Sequence, residues 1–270
     1  MNYHSNEWIM EKVREHYDEA LEHFPEDRIV CLILQGSQNY GLDVENSDVD
    51  TKLIVTPTFE DIAMNKKPVS TTHIRENEEH IDFKDIRLYI NCFQKQNLNF
   101  LEILFTPYKI VNPLYEEQWN RLVENSEAIA HYNPHRAIKS MKGIAMEKYH
   151  AMEHRYPSKV EVLAKYHYDP KQLHHLLRVE EYIKRYIDGE SYQDCLTSKI
   201  PQYLKDVKLG CHDLDEARKL ADISLNNILN MHDEFVKQVS DEIDPEIDKL
   251  LDNVQLEIMK IAVKKDIDKW

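Results

Sequence analysis

Two aspartates one residue apart, Asp48 and Asp50, stand at the head of the apolar run Val49–Val55. A Gly-Ser pair, Gly36-Ser37, lies ten residues upstream, directly after a second apolar run, RIVCLIL. On a strand, residues two apart project to the same side, so the two carboxylates would lie together. Side by side they repel each other unless a cation sits between them. Oxygen-only ligands of this kind suit Mg²⁺, which keeps waters and takes further oxygens from substrate phosphates. Mn²⁺ accepts the same donors. A carboxylate pair can clamp two ions roughly 3.5–4 Å apart and stabilise the attacking and leaving oxygens of a phosphoryl transfer. The Gly-Ser pair suits the other half of that chemistry. Gly36 lets the backbone turn tightly after a strand and approach a ligand. Ser37 can open a short helix whose free N–H groups and hydroxyl suit a phosphate.

A third carboxylate would complete the site. Asp82 lies between Ile81 and Phe83, as an inward-facing residue on a strand would. It is a candidate metal ligand and a candidate acceptor for the proton of an attacking hydroxyl. Glu79 and Asp85 compete for that place, but Asp85 reads as a helix cap and Glu79 as a turn charge. The segment GSQNYG matches the first part of a phosphate-binding P-loop, yet Leu42 and Asp43 stand where that loop requires Lys and Ser or Thr. A P-loop NTPase is thereby set aside. Further along, Lys171, His175 and Arg178 are spaced i, i+4, i+7, one face of a helix. Two fixed cations and an imidazole on one stripe could hold a triphosphate, Arg178 forking onto two oxygens and Lys171 acting as a point charge. The pairs His131/His135 and His150/His154 have the spacing of two zinc ligands on a helix. They lack the residues that complete a zinc set, and read as surface or weakly basic residues.

The elements that must position these residues are legible. Glu7 to Phe24 carries apolar residues at helical spacing and is stopped by Pro25. Residues 28–34 and 49–55 read as buried strands, and shorter strand signals fit 70–75, 80–83 and 108–111. Asp85 caps a helix running to about Gln96, and Asn112-Pro113 opens another. Beyond Ser126 only helical signals remain, at roughly 134–153, 159–166, 170–188, 213–238 and 244–266. The last has Asp244 as N-cap, Pro245 at its first position, and a packing stripe of Ile247, Leu250, Leu251, Val254 and Ile258. The reading is an α+β chain: a mixed β-sheet with flanking helices over 1–125, then an all-α domain over 126–270 that completes a nucleotide cleft.

Composition narrows the class. The net charge of −15 argues against a general nucleic-acid coat protein. The charge is uneven: residues 1–125 hold 12 basic and 23 acidic side chains, whereas 131–185 hold 11 basic and 6 acidic. An acidic front beside a basic middle suits metal ions meeting a polyphosphate. No apolar run approaches the roughly 20 residues of a membrane helix. The first residues lack the basic and apolar regions of a signal peptide, and the four scattered cysteines form no CxxC, so a reducing cytoplasm is expected.

The strand–Gly-Ser–Asp-x-Asp arrangement resembles the signature of the DNA polymerase β superfamily of nucleotidyltransferases. GSQNYGLDVENSDVDTKLIV, then IDFKDIRLYI and NLNFLEILF, are similar to the branch known as the RNA repair pathway DNA polymerase β family, found in bacteria and phages. YDPKQLHHLLRVEEYIKRYIDG resembles that branch's second motif, a helix lined by Lys, His and Arg. The resemblance spans about residues 28–190. Thr51 sits where the family prefers an apolar residue. The resemblance implies transfer of an NMP from an NTP to a hydroxyl with release of pyrophosphate, with two Mg²⁺ ions on Asp48, Asp50 and Asp82, and with Gly36, Ser37, Lys171, His175 and Arg178 on the nucleotide. It suggests an RNA end as acceptor. A protein side chain, as in an AMPylating enzyme, or a small alcohol stays open, because no aromatic-studded basic surface that would stack bases is evident. A non-catalytic nucleotide or RNA sensor is the rival class, and a binder need not keep both metal carboxylates.

Overall fold

The apolar run after Pro25 becomes a strand buried on both faces, and the sheet is assembled around it. The computed structural model describes residues 3–269. In chain order its principal elements are α1 (Asn6–His23), β1 (Ile29–Gln35), β2 (Asp50–Val55), α2 (Phe59–Ala63), β3 (Ser70–Ile74), β4 (His80–Asp85), α3 (Ile86–Gln94), α4 (Leu98–Leu101), β5 (Lys109–Val111), α5 (Glu116–Glu124) and α6 (Ser126–Ala130). Helices alone follow: α7 (Pro134–Ala151), α8 (Val160–Tyr166), α9 (Pro170–Ile187), α10 (Tyr192–Leu196), α11 (Pro201–Lys208), α12 (Leu214–Gln238) and α13 (Pro245–Ile267). The five strands form one mixed sheet in the order β3-β4-β2-β1-β5. Only β2 and β4 pair in parallel. The fold is therefore α+β, a mixed sheet with flanking helices and a helical C-terminal region.

Alternation along the strands divides the sheet into two faces. On one, Ile29, Leu32, Leu34, Val49, Leu53, Val55, Ile81 and Phe83 pack against Ile9, Val13 and Ala20 of α1. The Ser5 hydroxyl caps α1 by accepting from the Trp8 N–H, and its apolar positions recur on one side as helical spacing requires. Each of these large side chains contributes roughly 1.5–3 kcal/mol by leaving water, so this face fixes the strand register. A slip of one residue in β2 would turn Leu53 and Val55 out of the core and turn Asp50 and Lys52 into it. The other face of β2 and β4 meets α3, which begins at the Asp85 cap: the Asp85 carboxylate accepts from the Arg87 N–H and pairs with its guanidinium at 2.6 Å.

The chain divides into two compact units that depart from the expected boundary at 125. The first contains the sheet, runs through Tyr132 except for Tyr40–Leu42, and takes in residues from Ile243 onward. The second contains Asn133–Glu242 together with Tyr40–Leu42. The reason lies in α13. Its buried stripe of Ile247, Leu251, Val254, Ile258 and Ala262 packs on α5, α3 and α2, and Glu257 pairs with Arg121 at 2.6 Å. The last helix thus belongs to the sheet unit. In the second unit, α7, α9 and α12 pack on one another, with α10 and α11 against α9. Helices α10 and α11 escaped the sequence reading. No helix among the described residues is long and apolar enough to cross a membrane.

Candidate active site

Strand β1 ends at Gln35, and Gly36 adopts φ +109°, a conformation L side chains rarely take. Ser37–Tyr40 then forms a single 3-10 turn. Two side chains tie this turn down. Asn39 Nδ2 donates to the Leu34 carbonyl at 3.0 Å, and Gln38 Nε2 donates to the Asp48 carbonyl at 2.8 Å. Gln38, almost fully buried, therefore links the Gly-Ser turn directly to the backbone of the first aspartate. The loop between them is anchored at Asp43, whose buried carboxylate accepts from the Tyr3 and His4 N–H groups at 3.0 Å.

Val49 is buried in the α1 core, and Asp50, the first residue of β2, lies on the strand face opposite Leu53 and Val55. Asp48 stands two residues before it, ahead of the strand. Asp48 is exposed, and its carboxylate has no hydrogen-bond or ion-pair partner among the described residues. Asp50 Oδ1 accepts from His80 N at 3.0 Å and lies 3.2 Å from His80 Nδ1. Its second oxygen takes no hydrogen bond among the described residues. Asp82 is on the same face of β4, paired in register with Lys52 rather than with Asp50. Both of its oxygens are engaged: Thr72 Oγ1 donates to Oδ1 at 2.6 Å, and Lys52 Nζ lies 3.6 Å from Oδ2. Among the described residues no three His, Cys, Asp or Glu side chains converge on one metal position. The donor chemistry fits a hard divalent cation at Asp48 and Asp50, where carboxylate oxygens are unclaimed.

Behind the aspartates lies a buried polar chain that the sequence did not suggest. His16 of α1 sits with Nδ1 2.9 Å from Thr51 Oγ1 and Nε2 3.0 Å from Glu79 Oε2. That Oε2 also accepts from Arg75 Nη1 and Asn77 Nδ2, each at 2.7 Å, and Oε1 faces the Val49 N–H at 3.4 Å. Thr51, buried and polar in an otherwise apolar stretch of β2, partners this histidine. Glu79 is a buried anchor for the backbone between the two aspartates, which corrects its reading as a turn charge. Burial alone would raise its pKa. The His16 and Asn77 hydrogen bonds, the charge of His16 and the Arg75 hydrogen bond outweigh burial and hold it at about 2.

A carboxyl whose pKa falls from 4.5 to about 2 on folding stabilises the fold above pH 4.5 and loses that contribution as the pH drops toward 2. The magnitude is on the order of 3 kcal/mol. Urea unfolding of Glu79→Gln is therefore expected to show a deficit of that size at pH 7 and one of roughly half that size or less at pH 3. An equal deficit at both values would contradict the ionised network.

The helical motif occupies α9, capped where Asp169 accepts from the Lys171 N–H at 2.9 Å. Lys171 is exposed. His175 is enclosed enough that desolvation, followed by the charges of its neighbours, holds its pKa well below 6.5, so it stays neutral at pH 7. Beside it His174 is buried with Nδ1 2.8 Å from the Leu204 carbonyl, a packing role. The Arg178 guanidinium lies 3.6 Å from the ring centroid of Tyr40, within the same unit. Its Nε and Nη2 are shielded from solvent and have no hydrogen-bond partner among the described residues. Tyr40 is three residues after Ser37 and was not singled out from sequence. Stacking on an aromatic face is a signal that spacing within α9 could not give.

The middle strand of the mixed sheet, β2, thus opens at Asp50, after β1 and the Gly-Ser turn. Residues 9–184 match the model of the RNA repair pathway DNA polymerase beta family, and the chain belongs to that family. No curated protein matches it. Among solved structures it is similar to a nucleotidyltransferase-like protein from Exiguobacterium sibiricum 255-15, at 11% identity and a TM-score of 0.30, over 96% of this chain and 91% of that one.

Proposed function

We propose that the protein transfers an NMP from an NTP to a hydroxyl acceptor, an RNA end being the acceptor the family description favours. The observation that carries this reading is the pair Asp48 and Asp50 at the entry to β2, where the Asp48 carboxylate and one Asp50 oxygen have no hydrogen-bond partner among the described residues, while Asp43, Glu79 and Asp85 are bound elsewhere. Mg²⁺ bound there would neutralise the triphosphate and polarise the α-phosphate. Gly36 and Ser37 lie on the same turn that Gln38 ties to Asp48, and their backbone and hydroxyl donors suit the β- and γ-phosphates. The acceptor oxygen attacks the α-phosphorus, the bond to the bridging oxygen breaks, and pyrophosphate leaves with the electron pair. Asp82 accepts the hydroxyl proton. The test is incubation with each α-labelled NTP and pooled cellular RNA or protein. One fraction becomes labelled if the reading holds. No label in either fraction with any of the four NTPs contradicts it.

Arg178 and Lys171 serve the triphosphate in this reading, and the support is the pair of unsatisfied guanidinium nitrogens beside Tyr40. Shielded guanidinium nitrogens without acceptors cost stability, a cost that an anion supplying those acceptors removes. Each charge-assisted contact contributes about 1.5–3 kcal/mol. Arg178→Ala is expected to weaken NTP binding by about 10- to 100-fold, and Arg178→Lys to restore only part, since lysine cannot fork. Titration with a labelled, non-hydrolysable NTP measures this, and equal affinity in wild type and Arg178→Ala would return α9 to an ordinary basic face.

A further inference from the structure

Lys52 is an unusual residue to find beside a metal-binding pair. Its side chain is 3% exposed, and it lies on β2 between β1 and β4. Its ammonium faces Asp82 Oδ2 at 3.6 Å and stands 4.4 Å from the Phe100 ring centroid. Buried Glu102 adds a second favourable charge to it. Lys84, two residues beyond Asp82 on the same face of β4, brings another ammonium to 4.7 Å from the same ring. The surroundings of Asp82 are therefore already positive, whereas among the described residues Asp48 pairs with no cation and Asp50 with the His80 imidazole alone.

We propose that Lys52 takes the place of the second cation, so that the site holds one divalent ion, with the nucleotide at Asp48 and Asp50, while Asp82 is held by the buried ammonium. The inference rests on the nucleotidyl-transfer reading and refines its metal count. A second divalent ion at Asp82 meets Coulomb repulsion from Lys52 and Lys84. It also has to displace Lys52, whose side chain is almost fully buried and would be left without its nearest counter-ion. Thr72 holds the remaining oxygen of Asp82, which fixes the carboxylate where Lys52 meets it. Asp82 so placed remains an acceptor for a proton without being a metal ligand.

The test counts Mn²⁺ by the loss of its free electron paramagnetic resonance signal, with an ATP analogue carrying a carbon bridge between the α and β phosphates. The same mixture lacking protein serves as reference. Wild type is expected to take one ion per chain, Lys52→Arg one, and Lys52→Met two. Asp82→Asn is expected to keep the one ion. Two ions in wild type, or loss of the single ion in Asp82→Asn, overturn this inference alone, and neither result depends on whether Lys52→Met folds. No bound ion in wild type with the corresponding analogue of any of the four NTPs overturns the parent reading together with it.

Discussion

Asp48→Asn and Asp50→Asn are each expected to lower nucleotidyl transfer by about 10³-fold or more, because each removes a charged ligand from the ion that neutralises the triphosphate. The fold should survive both changes. Asp48 is exposed and makes no side-chain contact that the fold needs. The Asp50 hydrogen bonds to His80 can be kept by the asparagine oxygen. Removing one of two neighbouring like charges is expected to leave the melting temperature of the metal-free protein unchanged or raise it. Steady-state transfer and thermal unfolding of the two variants check this together. Full turnover in both would remove the pair from the chemistry, while inactivity with a collapsed melting temperature would mark them as structural.

The second large effect concerns Asp82. Asp82→Asn is expected to slow the chemical step by roughly 10²–10⁴-fold, the usual contribution of a positioned proton acceptor, while leaving NTP affinity close to wild type. Single-turnover kinetics separates the two quantities. The variant also strips Lys52 of its nearest counter-ion, so stability must be measured alongside. The competitors have their own occupations. Asp85 caps α3 and pairs with Arg87, and Glu79 is bound by His16, Arg75 and Asn77. If Asp85→Asn or Glu79→Gln, still folded, abolished the chemical step and Asp82→Asn did not, the proton acceptor would have to be reassigned.

What the sequence conveyed and what it concealed follow from range. Strands β1 and β2, the turn at Gly36, the Asp48–Asp50 pair and the Asp85 cap are written in neighbouring residues, where periodicity and turn chemistry act. The His16–Thr51–Glu79 chain joins residues 35 and 63 positions apart, and no local pattern encodes it. Lys52 reads as an ordinary strand residue until the parallel register of β2 and β4 sets it opposite Asp82. Tyr40 gains significance only when Arg178 lies on its ring. Helices α10 and α11, of 5 and 8 residues, offer too few turns for an apolar stripe to stand out. The stripe of α13 was visible, but its destination was not, since a packing face does not name the surface it packs on.

The central claim is that the Asp48–Asp50 pair serves transfer at the α-phosphorus. It is tested most directly by presenting the protein with its labelled acceptor fraction and the same NTP carrying ³²P either at the α or at the γ position, with Mg²⁺ and then with the metal chelated. Label is expected to enter the acceptor from the α position only, to require the divalent ion, and to be abolished in Asp50→Asn. Label arriving from the γ position, or α-label arriving undiminished in Asp50→Asn, would contradict it.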